Sequence, residues 1–105
     1  MPKLKIFLAD DHAIVREGLK RLIDVESDMS VTGESAGGPE VVAEITQSLP
    51  DVVVIDISMP GLNGLEITRQ LKASSPSVKV LVHEPRRAKQ VLLQETRFIV
   101  SQLYS

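Results

Sequence analysis

The sequence predicts an α/β fold in which four parallel strands form a doubly wound sheet with helices on both faces. Short apolar runs with the length of strands alternate along the chain with segments whose apolar residues recur at helical spacing. Strands that alternate with helices are joined by right-handed crossovers, which give a mostly parallel sheet. We expect the strand order 2-1-3-4, which is common in this kind of sheet.

The first strand and the first helix have the clearest signals. The apolar run at residues 6–9 ends at Asp10 and Asp11. From His12 to about Val25, apolar residues recur with the period of an amphipathic helix. The sequence thus predicts a strand whose carboxyl end is marked by two carboxylates.

The remaining elements follow in the same alternation. The segment MSVTGESA predicts a weaker second strand, and Gly37, Gly38 and Pro39 mark a loop and the first turn of a second helix. DVVVID predicts the third strand, and a third helix follows the loop MPGLNG and ends at SSPS. Residues 78–82 predict the fourth strand.

Composition indicates one domain and excludes several functions. With 105 residues, folding removes roughly two-thirds of the unfolded chain's surface from water, which allows one real core. A net charge of −2 provides no basic field for nucleic acid, and the absence of cysteine excludes disulfides and thiolate metal sites. The apolar runs are too short to span a bilayer, so we expect a soluble, cytoplasmic protein without a membrane partner.

Three carboxylates are expected to meet at one edge of this sheet. Asp10 and Asp11 follow the first strand, and Asp56 ends the third. In the expected order these strands are neighbours where the order reverses, and their carboxyl ends border a crevice. Each carboxylate disfavours ionisation of the others unless a cation lies among them, and an all-oxygen donor set is typical of Mg²⁺. From its own segment alone, Asp56 could equally open a turn or cap a helix.

Two motifs resemble the receiver domain of bacterial response regulators, in particular the NarL/FixJ (LuxR-type) branch: ADDHAIVREGL and VVVIDISMPGLNGLE. The resemblance covers about residues 3–82. It implies a flavodoxin-like fold and phosphorylation of Asp56 by the phosphohistidine of a sensor histidine kinase. It also implies a Mg²⁺ site whose protein ligands are Asp10, Asp11, Asp56 and the backbone carbonyl of Ser58. Within the acidic pair, Asp11 is the expected direct ligand.

The resemblance also implies how such a domain acts. Members of this branch regulate transcription through a DNA-binding output domain, which these residues do not contain. They turn over no separate substrate, so the resemblance implies that the chain is not an enzyme. A second interpretation is a degenerate receiver that acts as a dimerisation or protein-binding module without being phosphorylated.

Several neighbouring residues have simpler interpretations. Asp10 could cap the first helix as well as contact the metal, and we expect a shared role. Pro60 and Gly61 turn the chain, and the same turn delivers the Ser58 carbonyl to the crevice. His12 follows the acidic pair, but a single histidine at a helix start is usually an exposed side chain, so we leave it out of the site.

The chain departs from the receiver pattern after residue 82. Receivers place a Ser or Thr at the end of the fourth strand and a Lys at the end of a fifth. Here Glu84 aligns with the hydroxyl residue, and Lys89 lies too early to match the lysine. In receivers both groups bond phosphoryl oxygens and draw the switch elements inward, so this chain lacks two contacts of the conformational readout. We therefore divide the chain into a receiver core, residues 1–82, and an atypical segment, residues 83–105.

Two structures are open for this last segment. Residues 86–104 could form one amphipathic helix, which we favour because no Gly, Pro or Asn divides them. Alternatively, TRFIV could supply a replacement fifth strand. An uncovered fourth strand exposes unpaired backbone groups, so we expect a homodimer or an exchange of strands or helices. Arg86, Arg87 and Lys89 are too few to indicate direct DNA binding.

Overall fold

Strands and helices alternate along the chain. A computed structural model describes residues 3–56 and 64–83, and residue 94. The elements in chain order are β1 (Leu4–Ala9), α1 (Ala13–Asp24), β2 (Met29–Ser35), α2 (Val41–Ser48), β3 (Val52–Asp56), α3 (Gly64–Ser74) and β4 (Lys79–His83). The alternation is the predicted one, and the bounds lie close to those that the apolar pattern indicates.

The strands of the described residues form one parallel sheet with the order β2-β1-β3-β4. The expected order is therefore confirmed. β1 and β3 are neighbours at the centre, with Ala9 opposite Ile55. β4 lies on the other side of β3, with His83 opposite Asp56. Parallel pairing brings the carboxyl ends of β1, β2 and β3 to the same edge of the sheet.

Two apolar layers cover the sheet, one on each face. The side chains of β1 alternate between them, so that Ile6 and Leu8 belong to one layer and Phe7 and Ala9 to the other. α1 contributes the helix residues Leu19 and Ile23 to the first layer, and α2 and α3 contribute Val41, Ile45, Ile67 and Leu71 to the second. Burying a large aliphatic side chain contributes roughly 1.5–3 kcal/mol relative to leaving it exposed. Burial on both faces therefore holds the ends of β1 and β3 in place.

An irregularity in the pairing of β1 with β2 lies next to a position that requires glycine. The register shifts so that Ile6 lies opposite Val31 but Phe7 lies opposite Gly33. A Cβ atom on Gly33 would lie 2.7 Å from Cδ2 and 2.8 Å from Cε2 of Phe7. The ring needs the space that only glycine leaves, which explains a glycine in the interior of a strand.

Some expectations concern residues outside the described part of the chain. The helix or replacement strand at residues 86–104 falls there, as does the atypical segment at residues 83–105 except for residues 83 and 94. These expectations stay predictions. Within the described residues, no helix is both long and apolar enough to cross a bilayer.

Candidate functional site

The candidate site lies where β1 and β3 end. Asp10 follows the last residue of β1, and Asp56 is the last residue of β3. Because Ala9 lies opposite Ile55, the two aspartates come side by side at the carboxyl edge of the sheet. The backbone N–H of Asp10 also donates to the carbonyl of Ser35 at the end of β2, 3.0 Å away. Both aspartates are buried, with 3% of Asp10 and 1% of Asp56 exposed.

The structure brings together the three aspartates that the sequence places at this edge, and adds a histidine. Asp10, Asp11, His12 and Asp56 each offer one ligand atom, and these atoms all lie within 4.8 Å of one another. Asp10 and Asp56 form the buried floor of the cluster. Asp11 and His12 form its solvent side, with 27% and 48% of their side chains exposed.

The position of His12 corrects the sequence analysis, which leaves this residue out of the site. Its Nδ1 lies 3.1 Å from Asp10 Oδ1, 3.0 Å from Asp11 Oδ1 and 3.2 Å from Asp56 Oδ2. The backbone N–H of His12 also donates to Asp10 Oδ1, at 2.7 Å. That bond fixes the residue beside the carboxylates, so the imidazole reaches all three of them. The only sequence signal for this is that the histidine directly follows the acidic pair.

The expected capping role of Asp10 is also corrected. The N-cap residue of α1 is His12, and its side chain makes no capping hydrogen bond. Asp10 accepts the N–H of His12, which precedes the first helical residue, through Oδ1. Asp10 therefore orders the loop before α1 rather than the helix itself, and this leaves its Oδ2 atom for another partner.

Two buried oxygens of the cluster fit a divalent cation. Oδ2 of Asp10 and Oδ1 of Asp11 make no hydrogen bond with the described residues, although His12 Nδ1 lies 3.0 Å from the Asp11 oxygen. A buried carboxylate oxygen without a partner is costly, and a metal ion satisfies it. Mg²⁺ takes a few carboxylate oxygens and keeps several waters. The donor set therefore fits magnesium, with an imidazole nitrogen at its solvent side.

The pKa values of the cluster reflect its crowding. The pKa of Asp10 is raised, mainly by burial, and the charge of Asp56 adds to the rise, whereas hydrogen bonds from His12 oppose it. The pKa of His12 is also raised, first by its hydrogen bond to Asp10 and then by the charge of Asp11. Burial is thus the main cause for Asp10, whereas the pKa of His12 rises because carboxylates surround its ring. A divalent cation supplies positive charge to these carboxylates.

Arg16 supports the acidic loop from α1, a role that no sequence motif indicates. Its guanidinium donates to the backbone carbonyl of Asp10 and, through Nε, to Oε1 of Glu34 at 2.9 Å. Lys20 donates to the other carboxylate oxygen of Glu34 at 3.2 Å. These contacts join α1, the end of β1 and β2 behind the cluster. In sequence the two cations lie one helical turn apart, but their partner on β2 can be recognised only once the strand order is known.

Other predicted site residues lie outside the described part of the chain. They are Ser58, whose carbonyl is expected to bind the metal, the turn residues Pro60 and Gly61, and Glu84 and Lys89 of the segment that departs from the receiver pattern. Their roles stay predictions.

Comparison with known families matches residues 6–97 to the family described as the response regulator receiver domain. The chain belongs to this family. The match extends past residue 82, where the resemblance of the motifs ends. Receiver domains are regulatory modules.

Relatives and solved structures agree with the family. This receiver is 41% identical over 80 residues to the transcriptional regulatory protein DegU of Brevibacillus brevis, covering 76% of this chain and 34% of DegU. The signal receiver domain of NarL from Mycobacterium tuberculosis has a TM-score of 0.76 at 26% identity, over 92% of this chain and 78% of that one. The REC domain of AraT from Geobacillus stearothermophilus shows the same fold, with a TM-score of 0.83, 24% identity and 95% of each chain covered. The receiver spans between 34% and 38% of the length of the curated relatives that it matches.

Proposed function

We propose that this receiver accepts a phosphoryl group on Asp56 from a sensor histidine kinase and regulates transcription through a DNA-binding output domain outside these 105 residues. The observation that supports this most is the position of Asp56, which is 1% exposed at the end of β3 and has two further carboxylates within 4.8 Å. Relatives named as transcriptional regulatory and response regulator proteins support the regulatory role. Because the receiver spans at most 38% of those relatives, the output domain is part of the proposal.

Mg²⁺ is the proposed cofactor. Its proposed protein ligands are Asp10, Asp11, Asp56 and the backbone carbonyl of Ser58. When bound, magnesium neutralises charge on the phosphoryl oxygens. Two carboxylate oxygens are available as ligands because they accept no hydrogen bond from the described residues: Oδ2 of Asp10 and Oδ1 of Asp11. Asp11 is the proposed direct ligand of the acidic pair because it lies at the solvent side, where a partly hydrated ion enters.

Phosphoryl transfer needs little from the protein beyond position and charge. Asp56 is the nucleophile, and one of its carboxylate oxygens forms the new P–O bond while the P–N bond of the kinase's phosphohistidine breaks. The electron pair of the broken bond stays on the imidazole nitrogen of the kinase. With a proton on the other ring nitrogen of the phosphohistidine, the leaving group is neutral imidazole and no further proton is needed. The pairing of Ala9 with Ile55 fixes the backbone beside Asp56, so the sheet orients the attack. In this proposal the receiver turns over no separate substrate, because its role is regulatory.

A degenerate receiver that binds partners without phosphorylation is the second candidate. The observation that favours it lies in the sequence, where Glu84 aligns with the Ser or Thr of receivers and Lys89 does not match their lysine. On this alternative the core at residues 1–82 keeps the receiver fold. The segment at residues 83–105 then mediates a homodimer or an exchange of a strand or helix.

Intact-mass spectrometry separates the two candidates. The protein is incubated with Mg²⁺ and acetyl phosphate, a small-molecule phosphodonor, and Asp56→Asn and Asp51→Asn are treated alike. Asp51 is a matched control because it precedes the first residue of β3, at the opposite end of the strand, and accepts the backbone N–H of Lys5 at 2.8 Å. We expect a mass gain of one phosphoryl group in the wild type and in Asp51→Asn, and none in Asp56→Asn or in EDTA. No gain in the wild type, under conditions that label an ordinary receiver, leaves only the binding module.

A further inference from the structure

The proposed function makes no use of the imidazole of His12. Its Nδ1 nevertheless lies within 3.2 Å of an oxygen from each of the three aspartates. With 48% of the side chain exposed, the ring could satisfy its nitrogens with water instead. Three simultaneous contacts with carboxylates therefore indicate a role within the cluster rather than incidental placement at the start of a helix.

The distances around Nδ1 match those within a coordination sphere. Two ligands at right angles around one ion, each about 2.1 Å from it, lie about 3.0 Å apart. Nδ1 lies 3.0 Å from Oδ1 of Asp11 and 3.2 Å from Oδ2 of Asp56. It lies 3.1 Å from Oδ1 of Asp10, the oxygen that also accepts the backbone N–H of His12, so that Oδ2 of the same carboxylate is the one open to the ion. The distance from Nδ1 to each carboxylate is therefore close to the distance expected between two neighbouring ligand atoms of one ion. All the ligand atoms lie within 4.8 Å of one another, near the roughly 4.2 Å between ligands on opposite sides of an ion.

A second, independent feature points to a cation at this place. Oδ2 of Asp10 has no hydrogen-bond partner among the described residues, although only 4% of the side chain is exposed. The other oxygen of this carboxylate accepts the backbone N–H of His12 at 2.7 Å. His12 therefore orients Asp10 through its backbone and places an imidazole nitrogen next to it. Both groups come from a single residue, so their relative position is set by the chain.

We propose that His12 is a nitrogen ligand of this cation site through Nδ1, and that the site consequently binds Co²⁺ and Ni²⁺ more tightly than Mg²⁺. The inference rests on the proposed function, since it concerns the same cation site. Imidazole suits later first-row ions, whereas Mg²⁺ prefers oxygen donors. Affinity for sites with nitrogen and oxygen donors rises from Mn²⁺ through Co²⁺ to Ni²⁺. A receiver with this residue thus selects its cation by donor type as well as by charge.

Metal binding to the full chain tests the inference with two variants. His12→Ala removes the ring, whereas His12→Asn keeps an oxygen donor at the same distance along the side chain but no imidazole nitrogen. Isothermal titration calorimetry measures the dissociation constants for Mg²⁺ and Co²⁺ in each protein. We expect both variants to lose about tenfold or more in Co²⁺ affinity. Mg²⁺ affinity is expected to change by less than about threefold, because its preferred oxygen donors remain.

A spectroscopic readout reports ligation directly. A histidine bound to Co²⁺ gives an exchangeable imidazole N–H resonance in the proton NMR spectrum that is shifted far outside the ordinary range. We expect such a resonance in the Co²⁺ complex of the wild type, lost in deuterium oxide and absent from His12→Ala and His12→Asn. Circular dichroism confirms that both variants are folded before titration.

The outcomes separate this inference from the function on which it rests. An unchanged ratio of Co²⁺ to Mg²⁺ affinity in both His12 variants overturns the inference, and Mg²⁺-dependent labelling of Asp56 then leaves the proposed function standing. If the His12 variants gain Mg²⁺ affinity without losing Co²⁺ affinity, the inference is also overturned. The imidazole of the wild type would then compete with the ion for the carboxylates rather than bind it. Failure of the wild type to bind either ion removes the cation site, and both proposals fall with it.

Discussion

Replacing Asp56 by asparagine is expected to stabilise the metal-free protein. The carboxylates of Asp10 and Asp56 are buried, and their ligand atoms lie within 4.8 Å of each other. Two unit charges at that separation repel by about 3 kcal/mol at an effective dielectric constant of about 20. The imidazole of His12, 3.2 Å from Asp56, offsets part of this repulsion. We therefore expect the free energy of unfolding to rise by about 1–3 kcal/mol, since asparagine keeps the shape of the side chain without its charge.

Urea denaturation followed by circular dichroism measures this difference. Wild type, Asp56→Asn and the control Asp51→Asn are compared at neutral pH in EDTA and again in excess Mg²⁺. The ion stabilises a protein that binds it by about 2.7 kcal/mol at 100 times its dissociation constant. We expect this gain in the wild type and in Asp51→Asn, so that the advantage of Asp56→Asn shrinks or reverses. If Asp56→Asn is less stable than the wild type in EDTA, the carboxylate is a favourable part of the metal-free fold and the electrostatic reasoning is wrong.

Three further predictions concern stability and cation binding. Gly33→Ala is expected to lower the free energy of unfolding by about 1–3 kcal/mol, because the new Cβ would lie 2.7 Å from the Phe7 ring. Urea denaturation measures this loss, and the double variant with Phe7→Leu should recover part of it. The pKa of Asp10 is raised above 3.8, so its ionised form costs stability. In EDTA, the stability gained by Asp10→Asn should therefore grow as the pH rises from 3.8 through the raised pKa, and a gain independent of pH contradicts this. Arg16→Gln, which loses contacts with the Asp10 carbonyl and Glu34, is expected to weaken Mg²⁺ binding several-fold and to cost about 1–2 kcal/mol of stability. Glu34→Gln serves as its control, and calorimetry should find a smaller effect on Mg²⁺ there.

The sheet and the proximity of the three aspartates could be predicted because apolar runs mark the strands and the aspartates directly follow or end them. A central strand covered on both faces requires an unbroken apolar run, and VVVI provides one immediately before Asp56. The run at residues 6–9 does the same before Asp10. Once these strands are parallel neighbours, their ends must lie together, so the convergence of the aspartates follows from topology alone.

The roles of His12, Arg16 and Gly33 could not be predicted because they depend on contacts between elements. The imidazole of His12 lies beside the three carboxylates because its backbone N–H donates to Asp10. The same bond leaves the expected capping role of Asp10 unfilled. Arg16 matters because β2 places Glu34 opposite α1. Gly33 is required by the ring of Phe7 on the adjacent strand. The period of apolar residues does not report these relations. His12 reaches Asp56 on β3, Arg16 reaches Glu34 on β2, and Gly33 meets Phe7 on β1, so each relation joins two elements.

Paramagnetic broadening by Mn²⁺ tests most directly whether the three aspartates share one divalent cation. Mn²⁺ is added in substoichiometric amounts to isotope-labelled protein with assigned amide resonances. We expect the amide signals of Asp10, Asp11 and Asp56 to broaden first and excess Mg²⁺ to restore them. The signal of Asp51, at the opposite end of β3, should stay sharp. Broadening that begins elsewhere on the receiver, or that Mg²⁺ does not reverse, contradicts a shared cation at this edge of the sheet.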